Sequence, residues 1–355
     1  MAIYDVAIRG GRVVDGAGNP WFYSDIGVRH GKIARIGSIS ASDADNVIDA
    51  GGLVVCPGFI DLHTHSDVTV LADGDAQSKV RQGVTLDVIG ESNSVGPVVG
   101  PAADEYREEQ RLRSGVDVTW TDFTGYFQQL IRQGTSINIA SSVAPQQIRR
   151  AVVGFDDRAA GPDELQQMNS LVVQAMEQGA VGLSAAWHSG GPEYVDELIE
   201  MAVVANQHGG YYGTHVGSEG FDIGTELDKT FQIARASGIP VHIYHLKIRG
   251  REHWGQIGRV IDTIQSAMAE GLEVTADQYP YTAMQHPWHR LMPRWIQDAP
   301  RSETIPRFRD RQFRDRVKAD PEFDQYVKEH GGWEGIVMSI VADKSLKPDE
   351  GKTVA

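Results

Sequence analysis

From Leu53 onward, short apolar runs alternate with longer segments of helical period, and no other feature of this 355-residue chain restricts its fold as strongly. Seven runs read as strands: VVCPGFIDLHTH, VTLDVIGE, INIASSV, AVGLSAAW, YYGTHV, IPVHIYHL and LEVTADQY. Between them, PDELQQMNSLVVQAMEQG, EYVDELIEMAVVANQHG and TELDKTFQIARASG read as helices, each closing on glycine, the residue favoured just past a helix C-terminus. Strands alternating with helices signal βα units and a parallel sheet. Seven units imply a (β/α)8 barrel rather than an open doubly wound sheet, because no glycine-rich phosphate loop follows the first strand.

Residues 1–55 read as a small β-module of short strands between Gly, Asn and Asp turns. Residues 285–355 are rich in Arg, Asp and Pro and read as an inserted small domain or lid. WEGIVMSIVAD is the one stretch there that could supply an eighth strand.

The net charge of −15 opposes nucleic acid or an anionic membrane surface as a partner. The single cysteine, Cys56, rules out an internal disulfide and sits in an apolar run, which reads as a buried, inert thiol. The N-terminal MAIYDVAIRGG has no signal-peptide character, and no apolar run approaches the roughly 18 to 20 residues of a membrane span. These features read as a cytoplasmic protein, with homo-oligomerisation left open.

Barrel chemistry gathers at the C-terminal ends of the strands. Strand one ends in His63 and His65, strand two in Glu91, strand five in His215, strand six in His245, and strand seven carries Asp277. Side chains two apart on a strand share a face, so His63 and His65 are expected to project together. Imidazoles with a carboxylate suit Zn²⁺ or a similar borderline ion. By the same alternation His242 shares a face with Tyr244, opposite His245, and is expected to point away from the site. Ordinary roles also serve His208 and His253. His188 and Trp187, after strand four, are placed to line a substrate pocket. Asp61 and Asp67 flank the histidine pair and suit an oxygen that accepts an imidazole N–H, a helix N-cap being the competing use of Asp67.

The segments PGFIDLHTHSD, RQGVTLDVIGESNSVGP, GLSAAW, GTHVGSE, HLKIRG and DQYPYTA, in that order, resemble the amidohydrolase superfamily and, within it, the N-acyl-D-amino-acid deacylase (D-aminoacylase) branch. The resemblance implies a TIM-like (β/α)8 metal-dependent hydrolase barrel. Its parts would be the N-terminal portion of a β-sandwich module over 1–55, barrel strands one to seven over 56–284, and the inserted domain over 285–355. It implies hydrolysis of the amide bond of N-acyl-D-amino acids or related N-acyl compounds by metal-activated water, with one or two divalent ions. Zn is the first candidate and Mn, Fe or Co the others. Amidohydrolases of cyclic amides and non-catalytic assembly proteins of the same fold are the alternatives.

Carried over residue by residue, His63 and His65 would hold the more buried metal position, and His215 and His245 the other. Lys247 and Tyr281 would clamp the substrate carboxylate, Tyr279 being structural, and Arg290 or Arg294 could add an anion contact. Lys247 could instead pair with Glu219 or Asp277. Where the family commonly places a bridging cysteine, this chain reads Gly90-Glu91-Ser92-Asn93, and Glu91 is preferred to Ser92 as the replacement. The family's strand-eight aspartate, its general base, has no counterpart here; Asp343 is the only local substitute, and the catalytic residue is left unassigned. The chain is therefore expected to be a C-terminally truncated piece of a longer protein. The carboxylated-lysine bridge of hydantoinase-like enzymes is excluded, since no lysine lies between Lys79 and Lys229.

Overall fold

The computed structural model describes residues 2–355 other than 157, 187–193, 218, 221, 287, 298, 300, 342 and 343, and omits the side chains of 290, 294, 297, 301 and 302. His188, Trp187 and Asp343 lie outside the described residues, as do the side chains of Arg290 and Arg294. The chain divides into two compact units: Met1–Asp61 with Ala76–Asp87 and Ser136–Asn138, and Leu62–Asp75 with Val88–Thr135 and Ile139–Ala355.

In the first unit β1 (Tyr4–Val13), β2 (Phe22–Arg29), β3 (Lys32–Ile36), β4 (Ala44–Asp49) and β5 (Val54–Val55) form a sheet ordered β3-β2-β1-β4, with β5 also on β1. β1 runs antiparallel to β2 and parallel to β4. The run VVCPGFIDLHTH, expected as one strand, is two. Pro57 and Gly58 interrupt it, leaving β5 on β1 and β6 (Phe59–Asp61) in a different sheet. Proline offers no N–H to a ladder, so the break falls where the hydrogen bonds must stop. Cys56 is exposed rather than buried.

β6 is joined by β7 (Val84–Ile89), β8 (Asn138–Val143), β9 (Ala180–Ala186), β10 (Tyr211–His215), β11 (Val241–Ile243) and β12 (Val274–Ala276) in a seven-stranded sheet that follows chain order. The recorded pairings are parallel, as in β9–β10, where Tyr212 meets Leu183 and His215 meets Ala186. The result is an α/β fold with a curled parallel half-barrel.

The helices of the second unit form where apolar spacing and end signals agree. Pro162–Glu177 starts with proline at its first turn, and Glu164 accepts the Gly161 N–H at 2.7 Å. Its Met168, Val172, Ala175 and Met176, spaced on one helical face, are buried in the core. Val195–Gln207 is followed closely by Gly209, and Ile223–Ser237 ends on Gly238 at φ +72°, whose N–H returns to Ala234. All three fall where the sequence placed them.

Segment 285–355 builds a second, smaller core from Leu291, Met292, Ile296, Phe313, Val317, Phe323 and Val327. Within WEGIVMSIVAD the described residues show a 3-10 turn at Trp333–Gly335 and an isolated bridge from Val337 to Thr353, not a barrel strand. Among the described residues, no helix is long and apolar enough to cross a membrane.

Candidate metal centre

Every residue of the cluster described here belongs to the second unit. β6 stops at Asp61, so His63 and His65 stand on the loop beyond it rather than on one strand face. Their rings lie 5.9 Å apart at 62°, with His63 largely enclosed and His65 exposed. The His63 ring also lies 5.2 Å from those of both His215 and His245.

β7 ends at Ile89, and Gly90 turns the chain at φ +92°. A Cβ there would fall 2.1 Å from the Ser142 carbonyl oxygen, so only glycine fits. The turn carries Glu91, 5% exposed, into the cluster. Glu91 accepts from His65 Nδ1 at 2.8 Å and from His215 Nε2, and Ser92 Oγ donates to it. Burial works against its charge, yet the bonds from His215 and His65 outweigh that cost and hold the carboxyl well below the ordinary range. Asp67 accepts the Gly90 N–H at 2.6 Å and so fixes this turn. The helix that follows Asp67 has Val68 at its N-cap and no side-chain cap, so the capping use of Asp67 is not seen. Burial pushes the Asp67 carboxyl up to about 7. Asp61, in the first unit, pairs with Lys79.

His215 closes β10, and its Nδ1 stands 2.6 Å from His245 Nε2. β11 ends at Ile243, and His245 takes φ +38°, which breaks the strand's alternation. This overturns the expectation for His242. His242 and Tyr244 share a face, as expected, but that face carries the cluster, and the backbone turn at His245 brings its ring to the same side: Tyr244 lies 4.3 Å from the His63 ring, and His242 Nε2 lies 3.1 Å from Asp277.

Asp277, just past β12, is a hub. It accepts the His245 backbone N–H at 2.5 Å and approaches His63 Nδ1 at 3.3 Å. Burial opposes its charge, but the bonds from His242 and His63 keep the carboxyl strongly acidic. The sequence placed Asp277 on the rim without giving it this part; its place at a strand end was the signal.

Lys247 donates to Glu219 at 2.5 Å and lies 3.0 Å from His245 Nδ1, with Tyr279 facing its charge at 5.2 Å. The Glu219 pairing foreseen as an alternative is therefore present. Tyr281 is 74% exposed and stacks on Tyr279, with 6.3 Å between rings.

Two overlapping sets, His63–His215–His245 and His63–His65–Glu91, each bring one ligand atom per residue within 4.8 Å of the others. Four imidazoles and one buried carboxylate facing them are a donor set that fits zinc or a similar divalent ion, and His63 is common to both sets.

The amidohydrolase family model matches residues 46–324. The D-aminoacylase of Alcaligenes xylosoxydans xylosoxydans is 35% identical over 283 residues, 79% of this chain and 58% of that protein. The N-acyl-D-glutamate deacylase of the same organism is 34% identical, over 78% of this chain and 57% of its own. The chain thus spans a little under three fifths of these relatives. Among solved structures, D-aminoacylase matches at 35% identity and TM-score 0.69, covering 78% of this chain and 59% of its own. The N-acyl-D-glutamate deacylase of Bordetella bronchiseptica, complexed with zinc and a phosphonate mimic of the tetrahedral intermediate, matches at 31% identity and TM-score 0.70 over the same shares. The chain belongs to the amidohydrolase family.

Proposed function

We propose that this chain carries the metal-holding and carboxylate-gripping part of an enzyme that hydrolyses the amide bond of N-acyl-D-amino acids or closely related N-acyl compounds. The observation that carries this reading is the convergence of His63, His65, Glu91, His215 and His245 beside Lys247. Similarity to D-aminoacylase and N-acyl-D-glutamate deacylase supports the substrate class.

His63, His65, Glu91, His215 and His245 would hold one or two divalent ions, with zinc the first candidate and Mn, Fe or Co the others. When bound, such an ion would polarise the acyl carbonyl and lower the pKa of water toward neutrality. The residues of this chain hold and orient the groups around it. Asp277 holds the His63 ring and the His245 backbone, fixing the direction from which each imidazole approaches. Lys247 Nζ presents a point charge suited to the substrate carboxylate, held by Glu219 and the face of Tyr279. Tyr281, exposed past β12, is the second clamp in this reading.

The three-part organisation belongs to the same proposal: a β-sandwich portion over 1–55, a barrel over 56–284 and a lid over 285–355. The separate core of the last segment supports it, and the partly buried pair of Arg249 with Glu329 at 2.9 Å ties that segment to the barrel.

The test is turnover of N-acetyl-D-amino acids against their L-isomers, with and without chelator, by the product of the complete reading frame. The expected result is activity on the D-isomers that chelator abolishes and divalent metal restores. Equal activity on both isomers, or activity untouched by chelator, contradicts the proposal.

A further inference from the structure

Glu219 follows β10 by four residues, in the stretch before the helix Ile223–Ser237, and is only 7% exposed. Its backbone carbonyl is pinned by the Arg249 N–H at 2.7 Å, while the Arg249 side chain has Glu329 as its own partner. The Glu219 side chain is thus left to other donors. Its Oε1 lies 2.8 Å from His245 Nδ1 and accepts from Lys247 Nζ at 2.5 Å.

The arrangement settles which way the His245 ring serves the cluster. Its Nε2 faces His215 Nδ1 at 2.6 Å, on the cluster side, and its Nδ1 faces Glu219. An imidazole that offers Nε2 as a lone-pair donor carries its proton on Nδ1, and that proton needs an acceptor. Lys247, 3.0 Å from the same nitrogen, cannot be that acceptor, because an ammonium group only donates. Glu219 is the acceptor, and the same oxygen takes the lysine.

We propose that Glu219 is a positioning residue that ties the His245 imidazole and the Lys247 ammonium to one carboxylate oxygen, so that holding the metal and gripping the substrate carboxylate are set together. The inference rests on the function proposed above, with His245 as a metal ligand and Lys247 as a clamp. It goes further by assigning a residue that contacts neither metal nor substrate.

Two variants separate the two duties. Glu219→Gln keeps an oxygen for the His245 N–H but removes the charge that fixes Lys247. Glu219→Ala removes both. Zinc affinity, read by chelator competition without any turnover, is expected to fall about 10- to 100-fold in Glu219→Ala and less than about tenfold in Glu219→Gln, which leaves a neutral acceptor in place. In Glu219→Gln, KM is expected to rise about tenfold with kcat little changed, the loss of one charge-assisted bond.

A purely structural role would lower the melting temperature of both variants while leaving zinc affinity and KM at wild-type values, and that result would overturn the proposal. Wild-type protein that binds no zinc overturns it together with the metal reading. Wild-type protein that binds zinc without cleaving N-acyl-D-amino acids, with the affinity loss in Glu219→Ala intact, removes the substrate class alone and upholds the role of Glu219 toward His245.

Discussion

The two sides of the histidine cluster use carboxylates in opposite ways. On the side formed by the β6 and β7 loops, Glu91 points into the cluster and meets the nitrogens of His65 and His215 directly. On the side formed by the ends of β10, β11 and β12, Asp277 and Glu219 sit behind the rings and take the Nδ1 atoms of His63 and His245. An acid inside the cluster acts as a donor to an ion, whereas an acid behind it sets the tautomer and direction of an imidazole. Position relative to the rings, not residue type, separates the two roles.

The difference can be broken by substitution, and the largest effect is expected on the Glu91 side. Glu91→Gln should cost roughly a thousand-fold in kcat/KM, the equivalent of about 4 kcal/mol of transition-state stabilisation, together with bound metal. Metal analysis and steady-state kinetics on the same preparation check this, and full metal content with full activity would move Glu91 out of the donor set. Asp277→Asn should cost less, about 10- to 100-fold in metal affinity, because the ligands remain and only the backing is weakened. A loss as large as that of Glu91→Gln would erase the distinction between the two sides.

Lys247→Met should act on KM rather than metal, raising it about 10- to 100-fold, in line with about 1.5 to 3 kcal/mol for a hydrogen bond to a charged group. The smallest effect is expected from Ser92→Ala. Its hydroxyl donates to Glu91, so its loss should cost less than about tenfold in activity and leave metal content unchanged. Loss of metal in Ser92→Ala but not in Glu91→Gln would reverse the choice between the two residues.

The sequence carried the identities in the cluster better than their routes into it. His63, His65, Glu91, His215 and His245 were legible because histidines and acids recur where apolar strands end. The strand rule used to orient them holds only while the ladder lasts. β6 stops two residues before His63, and β11 stops two before His245, whose left-handed backbone conformation brings its ring to the face that His242 and Tyr244 already hold. Helix limits were legible from Pro162, Gly209 and Gly238, which act locally through backbone geometry. The split at Pro57 was equally local, yet the long apolar run around it hid it. In 285–355 the charge-rich composition concealed a core whose signs were the pairs Phe313 with Val317 and Phe323 with Val327, each four residues apart on one helical face.

The arrangement proposed is four imidazoles from distant parts of the chain meeting one carboxylate around one or two divalent ions. Its most direct test is X-ray absorption at the zinc edge of the zinc-reconstituted protein. Imidazole scattering is expected with Zn–N near about 2.0 to 2.1 Å, from two rings per zinc where two ions are held to three or four where one is, and less of it in His245→Ala. An oxygen-only spectrum, or one unchanged by that substitution, would contradict it.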